Sequence, residues 1–451
     1  MKRVSMLCLA LLTVANVAAA QTTKSGPEVY KLTVRPAAPA EPTLRYRFTT
    51  PHEQFTPGNA ASMYTAAMLV LANHPAEWQE TVDRLQATPI EKLPRDEARK
   101  VLDEAKSMLD QLHVAARRDH CIWDLPRREH AAMALLPHLH RMRPFARLLS
   151  LNARLAILEG RYDDAVDSMR TSLSMARHCQ DDVAGVLLDA LVAAATTPYL
   201  FDDIAAMMAR DDGPNLYWAL ATIPRPLLDV PQIVRRECGY VYYVFPALRD
   251  PARNGMTDAQ WQQIAIDVLH QLSPTPPTTE ELEKLKKQVA QMNASLLAKA
   301  KAQRGLEGMS DAQATAAYAV AEMERWRNER EKWFNLPFWQ GYRGLVETDR
   351  AIREAQAKDP NPLVSMEPKT AVWFTRLVVP DRRSAALMTI EAVRAHGKVP
   401  AKLSDVSLPI PNDPATGQPF VYEPRDGGFT LISRIEGGEP SDEIRYEVTM
   451  K

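Results

Sequence analysis

Apolar residues recur at helical spacing through most of this chain, and that periodicity constrains the fold more than any other feature of the sequence. It begins near Ala60 and continues to about Gln356. Steps of three and four between apolar positions are typical of helices that bury one face. The 451 residues include 17 glycines and 34 prolines, a balance that favours helices separated by proline over sheets turned by glycine. We therefore expect a mainly α fold.

The first 20 residues predict a secretory signal peptide. Lys2 and Arg3 precede an apolar run from Met6 to Val14, and Ala18 to Ala20 provide a small-residue cleavage site. We expect the protein to be exported to the periplasm or out of the cell, with no transmembrane anchor after cleavage. The cysteines that follow the signal peptide allow at most one internal disulfide.

The charge balance argues against a nucleic-acid partner. The whole chain has 55 basic and 56 acidic residues, and cleavage would remove two of the basic ones. Nucleic-acid binding requires a basic surface that replaces the counterions of phosphate. Short basic clusters such as Arg117–Arg118 are followed by acidic or apolar residues, a pattern typical of solvated helix faces. We expect a protein or peptide partner and no nucleic acid.

The segment from Phe145 to Cys179 carries the clearest internal pattern. Small, turn-forming and large residues stand where a tetratricopeptide-type helix pair needs them, at Ala153, Gly160, Tyr162, Ala165, Met169, Leu173 and Ala176. Gly160 permits a tight turn between the helices, and Ala165 permits their close approach. Neighbouring segments repeat this pattern poorly, so irregular helices must complete the stack. The pattern predicts a tetratricopeptide-like, irregular α-solenoid.

Changes in composition divide the chain into five segments. Proline and threonine are frequent before the helices begin, which is typical of an extended leader. A second proline-rich linker precedes a pair of amphipathic helices that predicts a helical hairpin. We expect a signal peptide over residues 1–20, an extended leader over 21–57, a tetratricopeptide-like helical domain over 58–250, a helical hairpin region over 251–360 and a small α+β module over 361–451.

The last segment changes from helical to strand-like periodicity. Arg382 to Ala395 predicts one more amphipathic helix, which ends at His396-Gly397. Three alternating runs, at residues 420–422, 429–432 and 445–448, predict strands of a small antiparallel sheet. Asp426 to Gly428 is typical of the turn in a hairpin. The module is therefore expected to be α+β.

Several short runs in the middle of the chain carry a resemblance. They are Arg118 to Pro126, Leu135 to Pro137, Arg147 to Arg154, Glu159 to Asp163, Pro214 to Leu220 and Pro224 to Leu227. Together, over roughly residues 95 to 240, they resemble a family of exported bacterial proteins of unknown function with a tetratricopeptide-like core. The resemblance brings no activity that could be transferred to this chain.

The C-terminal segment carries a second resemblance. Gly397 to Pro400, Asn412 to Tyr422 and the hairpin after them are similar to the periplasmic head of type II secretion pseudopilins. Those proteins begin with a long apolar assembly helix, whereas the apolar segment of this chain lies more than 350 residues before the module. The resemblance implies a reused small α+β module, without pilus assembly or calcium.

Histidine and cysteine are concentrated in one region, which makes it the candidate for metal chemistry. Six of the ten histidines lie between His113 and His178, and the pairs His120-Cys121 and His178-Cys179 combine imidazole with thiol. Both groups bind zinc or copper. Adjacent residues in a helix point about 100° apart, so neither pair faces one ion. We expect core or capping roles for these residues, with no metal and no cofactor.

The sequence contains none of the common motifs of nucleophilic, metal-dependent or nucleotide-binding enzymes, such as G-x-S-x-G, H-E-x-x-H, G-x-G-x-x-G and G-x-x-x-x-G-K. A hydrolase could still use scattered acid-base residues, namely Asp119, His120 and Glu129 beside Arg127–Arg128. The structural alternative for them is an ion-paired turn between two helices. No catalytic residue is assigned from the sequence.

Stacked helix pairs present grooves that suit peptides or helices of a partner. We expect an exported helical-repeat scaffold or a protein- or peptide-binding protein rather than an enzyme. Tyr217, Trp218 and Arg225 are the candidate binding residues, either as a groove rim or as an inter-helix brace. The alternative function is a hydrolytic or metal-dependent enzyme seated in the His/Cys-rich region 113–179.

Overall fold

The computed structural model describes residues 26–123, 137–181, 187–239, 241–271, 278–366 and 370–451. Within these ranges the protein is mainly helical with a small strand module near the C-terminus, as the sequence predicts. No helix in the ranges is long and apolar enough to cross a membrane. The predicted signal peptide, the Arg127–Arg128 pair and Glu129 lie outside the described residues.

Helices make up most of the described chain, and the strands are short. In chain order the helices are α1 (Ala61–Ala72), α2 (Ala76–Ala87), α3 (Arg95–Glu104), α4 (Lys106–Ala116), α5 (Pro137–Leu158), α6 (Tyr162–His178), α7 (Leu187–Met208), α8 (Tyr217–Ala221), α9 (Val230–Gly239), α10 (Val241–Val244), α11 (Asp258–Gln271), α12 (Thr279–Ala302), α13 (Asp311–Phe334), α14 (Phe338–Lys358), α15 (Pro362–Met366), α16 (Thr370–Leu377) and α17 (Val379–His396). The strands are β1 (Glu28–Val34), β2 (Thr56–Asn59), β3 (Arg118–His120), β4 (Val421–Arg425), β5 (Gly428–Ser433) and β6 (Ile444–Met450).

Two compact units divide the described chain. The larger unit contains residues 26–123, 137–181, 187–230 and 374–451. The smaller unit contains the described residues between 231 and 373. The larger unit therefore joins three segments that are far apart in sequence, namely the leader, the helix stack and the C-terminal module.

The C-terminal module contains the predicted antiparallel strands and one further strand. Strands β4, β5 and β6 pair antiparallel, as the alternating runs predict. β1, from the leader, adds to the free edge of β6 in parallel register, with Glu28 opposite Ile444 and Val34 opposite Met450. The sheet order is β1-β6-β5-β4. A segment near the start of the chain thus completes a sheet formed by its end.

The helix stack of the larger unit is centred on α5, α6 and α7, which pack against one another. Gly160 joins α5 to α6 with a φ of 71°, a left-handed conformation that glycine adopts without strain. Ala165 is fully buried, which lets the two helices approach closely. α1 packs on α4, α4 packs on α6, and α2 and α3 pack on α5. These contacts place the exposed side of α6 near the leader and the end of α4.

The prediction that residues 382–395 form an amphipathic helix is wrong about the amphipathic character. Helix α17 is buried at every position from Pro380 to Arg394, because it packs against α7 and α8 as well as β5. Its polar side chains are bonded inside the unit: Arg382 donates to the Ser433 hydroxyl and carbonyl oxygens. Hydrogen bonds of this kind offset the cost of burying charge.

The smaller unit contains the predicted helical hairpin. Helices α12 and α13 pack against each other, α14 packs on α13, and α11 covers α12 and α13. The core they enclose includes Trp261, Leu296, Met323, Ile352 and Leu363. At the end of α13, the Trp333 indole donates to the Thr348 hydroxyl on α14 at 3.0 Å. Trp333 therefore takes part in packing between these two helices.

Candidate functional site

His178, at the end of α6, is a buried link between three elements. Its Nδ1 lies 2.9 Å from the Tyr64 hydroxyl on α1, and its Nε2 lies 3.2 Å from the Arg118 carbonyl oxygen on β3. Burial lowers the pKa of His178 to about 4. The ring is therefore neutral at physiological pH, and both nitrogens already have hydrogen-bond partners.

The other metal candidates lie in different surroundings. His120 is half-exposed on β3, and its Nδ1 lies 2.8 Å from a carboxylate oxygen of Asp119. Cys121 and Cys179 are buried, and none of the described cysteines forms a disulfide. Burial raises the pKa of Cys179 well above its usual range. In the described part of the chain, no group of three histidine, cysteine or acidic residues is placed to hold a metal ion.

An aromatic and ionisable cluster surrounds these residues, and sequence reasoning missed most of it. The Trp123 ring stacks on the His138 ring at 4.6 Å and on the Tyr64 ring at 6.3 Å. The Nε2 atom of His138 lies 3.5 Å from an Asp189 oxygen, and both side chains are almost fully buried. Burial raises the pKa of Tyr64 well above its usual range. Tyr64 and His178 are therefore neutral at neutral pH, as expected of groups in a packed interior.

A cavity of about 510 Å³ lies on the exposed side of α6, between the leader and the end of α4. We call it the charged cavity. Its lining is Arg45, Tyr46, Gln54, Arg117, Asp163, Asp164, Val166, Asp167 and Arg170. Known ligand pockets measure about 300–1,000 Å³, so the cavity is large enough for several side chains of a partner.

The carboxylates of the charged cavity are already paired. Asp163 binds Arg45 at 3.0 Å, Asp167 binds Arg170 at 2.9 Å, and Asp164 pairs with Arg161 beside the cavity. The first of these contacts joins the leader to α6. The lining therefore combines acidic and basic groups whose charges largely cancel within each pair.

Arg117 is the exception among the basic groups of this lining. Its side chain has no hydrogen-bond or ion-pair partner among the described residues, and the residue is exposed at the C-terminal end of α4. The nearby Arg117 charge also lowers the pKa of Arg170, after the larger effect of burial. A negative group that entered the cavity would meet an uncompensated guanidinium at Arg117.

The structure places Tyr217, Trp218 and Arg225 away from the charged cavity. Tyr217 is buried on α8 and its hydroxyl donates to the Pro409 carbonyl oxygen. The Trp218 ring makes an edge contact with the Tyr217 ring at 4.9 Å. The Arg225 guanidinium lies 2.8 Å from the Met388 sulfur on α17. These contacts hold neighbouring elements together, which fits the predicted inter-helix brace better than a groove rim.

The cavity residues come from three separate segments, the leader, the end of α4 and helix α6. The only local signal for any of them was the basic pair Arg117–Arg118, whose pattern favoured a solvated helix face. Comparisons of the chain with protein-family models, curated proteins and solved structures found no match. The function must therefore be inferred from the geometry and charges of the cavity.

Proposed function

We propose that this protein is an exported helical-repeat scaffold whose charged cavity binds an acidic segment of a protein or peptide partner. The observation that carries the proposal is the uncompensated Arg117 guanidinium beside carboxylates that are already paired. A partner carboxylate would form a charge-assisted hydrogen bond with this guanidinium, which is stronger than a bond between neutral groups. The paired acids would repel it less because their charges are largely neutralised.

The rest of the lining supports a peptide as the occupant. Tyr46 and Val166 form buried parts of the wall, whereas Gln54 is exposed and provides both a donor and an acceptor. The amide of Gln54 can bond the backbone N–H and carbonyl groups of a peptide. An extended segment with one acidic side chain fits this combination of the Arg117 guanidinium and an exposed amide.

The alternative function, an enzyme seated in the His/Cys-rich region 113–179, receives less support. Both nitrogens of His178 are engaged, and the raised pKa of Cys179 disfavours a thiolate nucleophile. The proposed acid-base set keeps only Asp119 and His120 within the described residues. Among those residues we find no observation that favours hydrolysis over binding.

Site-specific cross-linking tests the proposal. Gln54, which is exposed in the cavity, is replaced by p-benzoylphenylalanine, and the purified protein is irradiated with the exported fraction of its source cells. A matched variant carries the same group in place of Arg253, whose side chain is 89% exposed in the smaller unit. We expect one stoichiometric protein partner from position 54 and not from position 253. No stoichiometric partner, or the same partner from both positions, would refute binding at the charged cavity.

A further inference from the structure

The smaller unit contains a second cavity, separate from the charged one and of opposite character. It has a volume of about 40 Å³ and lies between α11, α12, α13 and α15. None of its lining residues carries a charged side chain, and four of them are alanines at positions 265, 312, 316 and 319. Small side chains at facing positions leave space that larger residues would fill.

Trp261 on α11 provides the one polar feature that decides what the cavity can bind. Its side chain is 3% exposed, and it lines the cavity. The indole Nε1–H has no hydrogen-bond partner among the described residues. A buried donor without a partner destabilises the folded protein, because its bond to water is lost and not replaced. An acceptor atom placed in the cavity would remove that cost.

Other polar groups of the lining are already used or lie at the rim. The Thr315 hydroxyl donates to the Asp311 carbonyl oxygen at 2.7 Å within α13. Gln262 is exposed and Asn293 is half-buried, so both lie toward solvent. The interior of the cavity thus combines apolar walls with a single donor.

We propose that this cavity binds a small neutral molecule, or the end of a neutral alkyl chain, that carries one oxygen acceptor. The oxygen accepts the hydrogen bond of Trp261 Nε1, and the alkyl part packs against Met292, Leu296 and Ala316. A carboxylate is excluded because no cationic side chain lines the cavity to offset its burial. One water-sized group needs about 10–15 Å³, so the walls enclose about three heavy atoms, namely the oxygen and the carbons next to it, and the rest of a longer chain such as that of 1-butanol extends toward the rim.

Nuclear magnetic resonance tests this inference on the full chain with 1-butanol as the probe and butyrate as its charged counterpart. The indole N–H signal of Trp261 is identified among those of the eight tryptophans as the one that Trp261→Phe removes. We expect 1-butanol to shift this signal saturably and butyrate to leave it unchanged. A shift that grows linearly without saturation, or an equal response to butyrate, would overturn the proposal.

Two variants separate the cavity from general solvent effects, with the affinity measured from the 1-butanol signals. Ala316→Leu fills the cavity and should weaken binding at least tenfold, while circular dichroism confirms that the helices remain. Trp261→Phe keeps a six-membered aromatic ring, removes the indole N–H donor and should weaken binding about fivefold. If Ala316→Leu fails to fold, Trp261→Phe decides alone. Unchanged affinity in Trp261→Phe, or in a folded Ala316→Leu, would contradict the assignment.

The two proposals are independent because they concern different units of the chain. The charged cavity involves only residues of the larger unit, and the apolar cavity involves only residues of the smaller one. Failure of the cross-linking experiment would leave the 1-butanol result intact, and the reverse also holds.

Discussion

Arg394 and Glu391 form an ion pair inside the larger unit, with 2.8 Å between Nη1 and Oε2 and at most 1% of either side chain exposed. The pair lies within α17, where the carboxylate also accepts the Leu216 backbone N–H. The guanidinium donates to the carbonyl oxygens of Gly213 and Arg35. These bonds attach α17 to the segment before α8 and to the part of the leader that directly follows β1.

Removal of the carboxylate should therefore destabilise the protein strongly. Glu391→Ala leaves a buried guanidinium without its counter-ion, and we expect a loss of about 3–5 kcal/mol in the free energy of unfolding. Urea denaturation measures it. The matched control is Glu347→Ala, which removes an exposed ion pair with Arg343 and should change stability by less than about 0.5 kcal/mol. Equal effects of the two substitutions would contradict the role given to the buried pair.

The neutral His178 ring predicts a loss of stability in acid. Its pKa is about 4 in the folded protein, against an ordinary value of 6.5 that applies after unfolding. The unfolded chain therefore binds the proton first, and stability falls as the pH drops from about 6.5 to 4, by about 3 kcal/mol in all. The charged or titratable groups near the ring are Arg177, His120 and Asp119.

Two measurements check the behaviour of His178. Its ring signals in a pH titration should show no protonation until the pH approaches 4. Urea unfolding of His178→Gln should lose the part of the pH dependence that lies between about 6.5 and 4. A midpoint near the ordinary histidine value would show that the ring is not held neutral by burial.

Asp381 predicts the opposite dependence on pH. Burial raises its pKa to about 7, although the Leu227 N–H and nearby Arg225 favour the charged form. The folded protein binds this proton more tightly than the unfolded chain, so stability decreases as the pH rises from about 4 to 7. Asp381→Asn keeps the acceptor for Leu227 and should stabilise the protein by about 1–3 kcal/mol at about pH 8. Thermal unfolding at two pH values checks this, and no gain at the higher pH would contradict it.

Gly344 allows α14 to approach α13 in the smaller unit. A Cβ atom at this position would lie 2.5 Å from the Trp333 ring. Gly344→Ala should therefore destabilise the protein by about 1–3 kcal/mol in urea unfolding, because the ring must move from its place. Gly255→Ala is the control, since no heavy atom lies within 4 Å of its added Cβ. Comparable stabilities of the two variants would argue against this close contact.

Local patterns were sufficient to predict most helices and the antiparallel strands. The hairpin of α12 and α13, helix α14 and strands β4 to β6 follow from periodicity and turn residues within each segment. β1 could not be predicted in the same way, because its pairing with β6 joins positions about 400 residues apart. The burial of α17 was missed because its arginines resemble those of a solvated face. Only the packing of α8 and β5 on either side reveals that they lie inside.

The charged cavity was less predictable than the fold. Arg45, Arg117 and Asp163 come from three segments, and no spacing within any one segment brings them together. Asp163 is paired with Arg45 and is therefore not free to pair with Arg117. Arg117 is the basic residue of the lining whose side chain has no partner among the described residues. Charge compensation of this kind depends on tertiary contacts, which composition and net charge do not report.

The most direct test of the central claim is the affinity of the cross-linked partner for variants at Arg117, measured by isothermal titration calorimetry. Arg117→Glu should weaken binding at least tenfold, because the attraction between the guanidinium and the acidic group of the partner becomes a repulsion. The matched control is Arg343→Glu, which makes the same charge change on a side chain that is 87% exposed in the smaller unit. The control should bind as the wild type does. Equal affinity of Arg117→Glu and the wild type would contradict binding at the charged cavity.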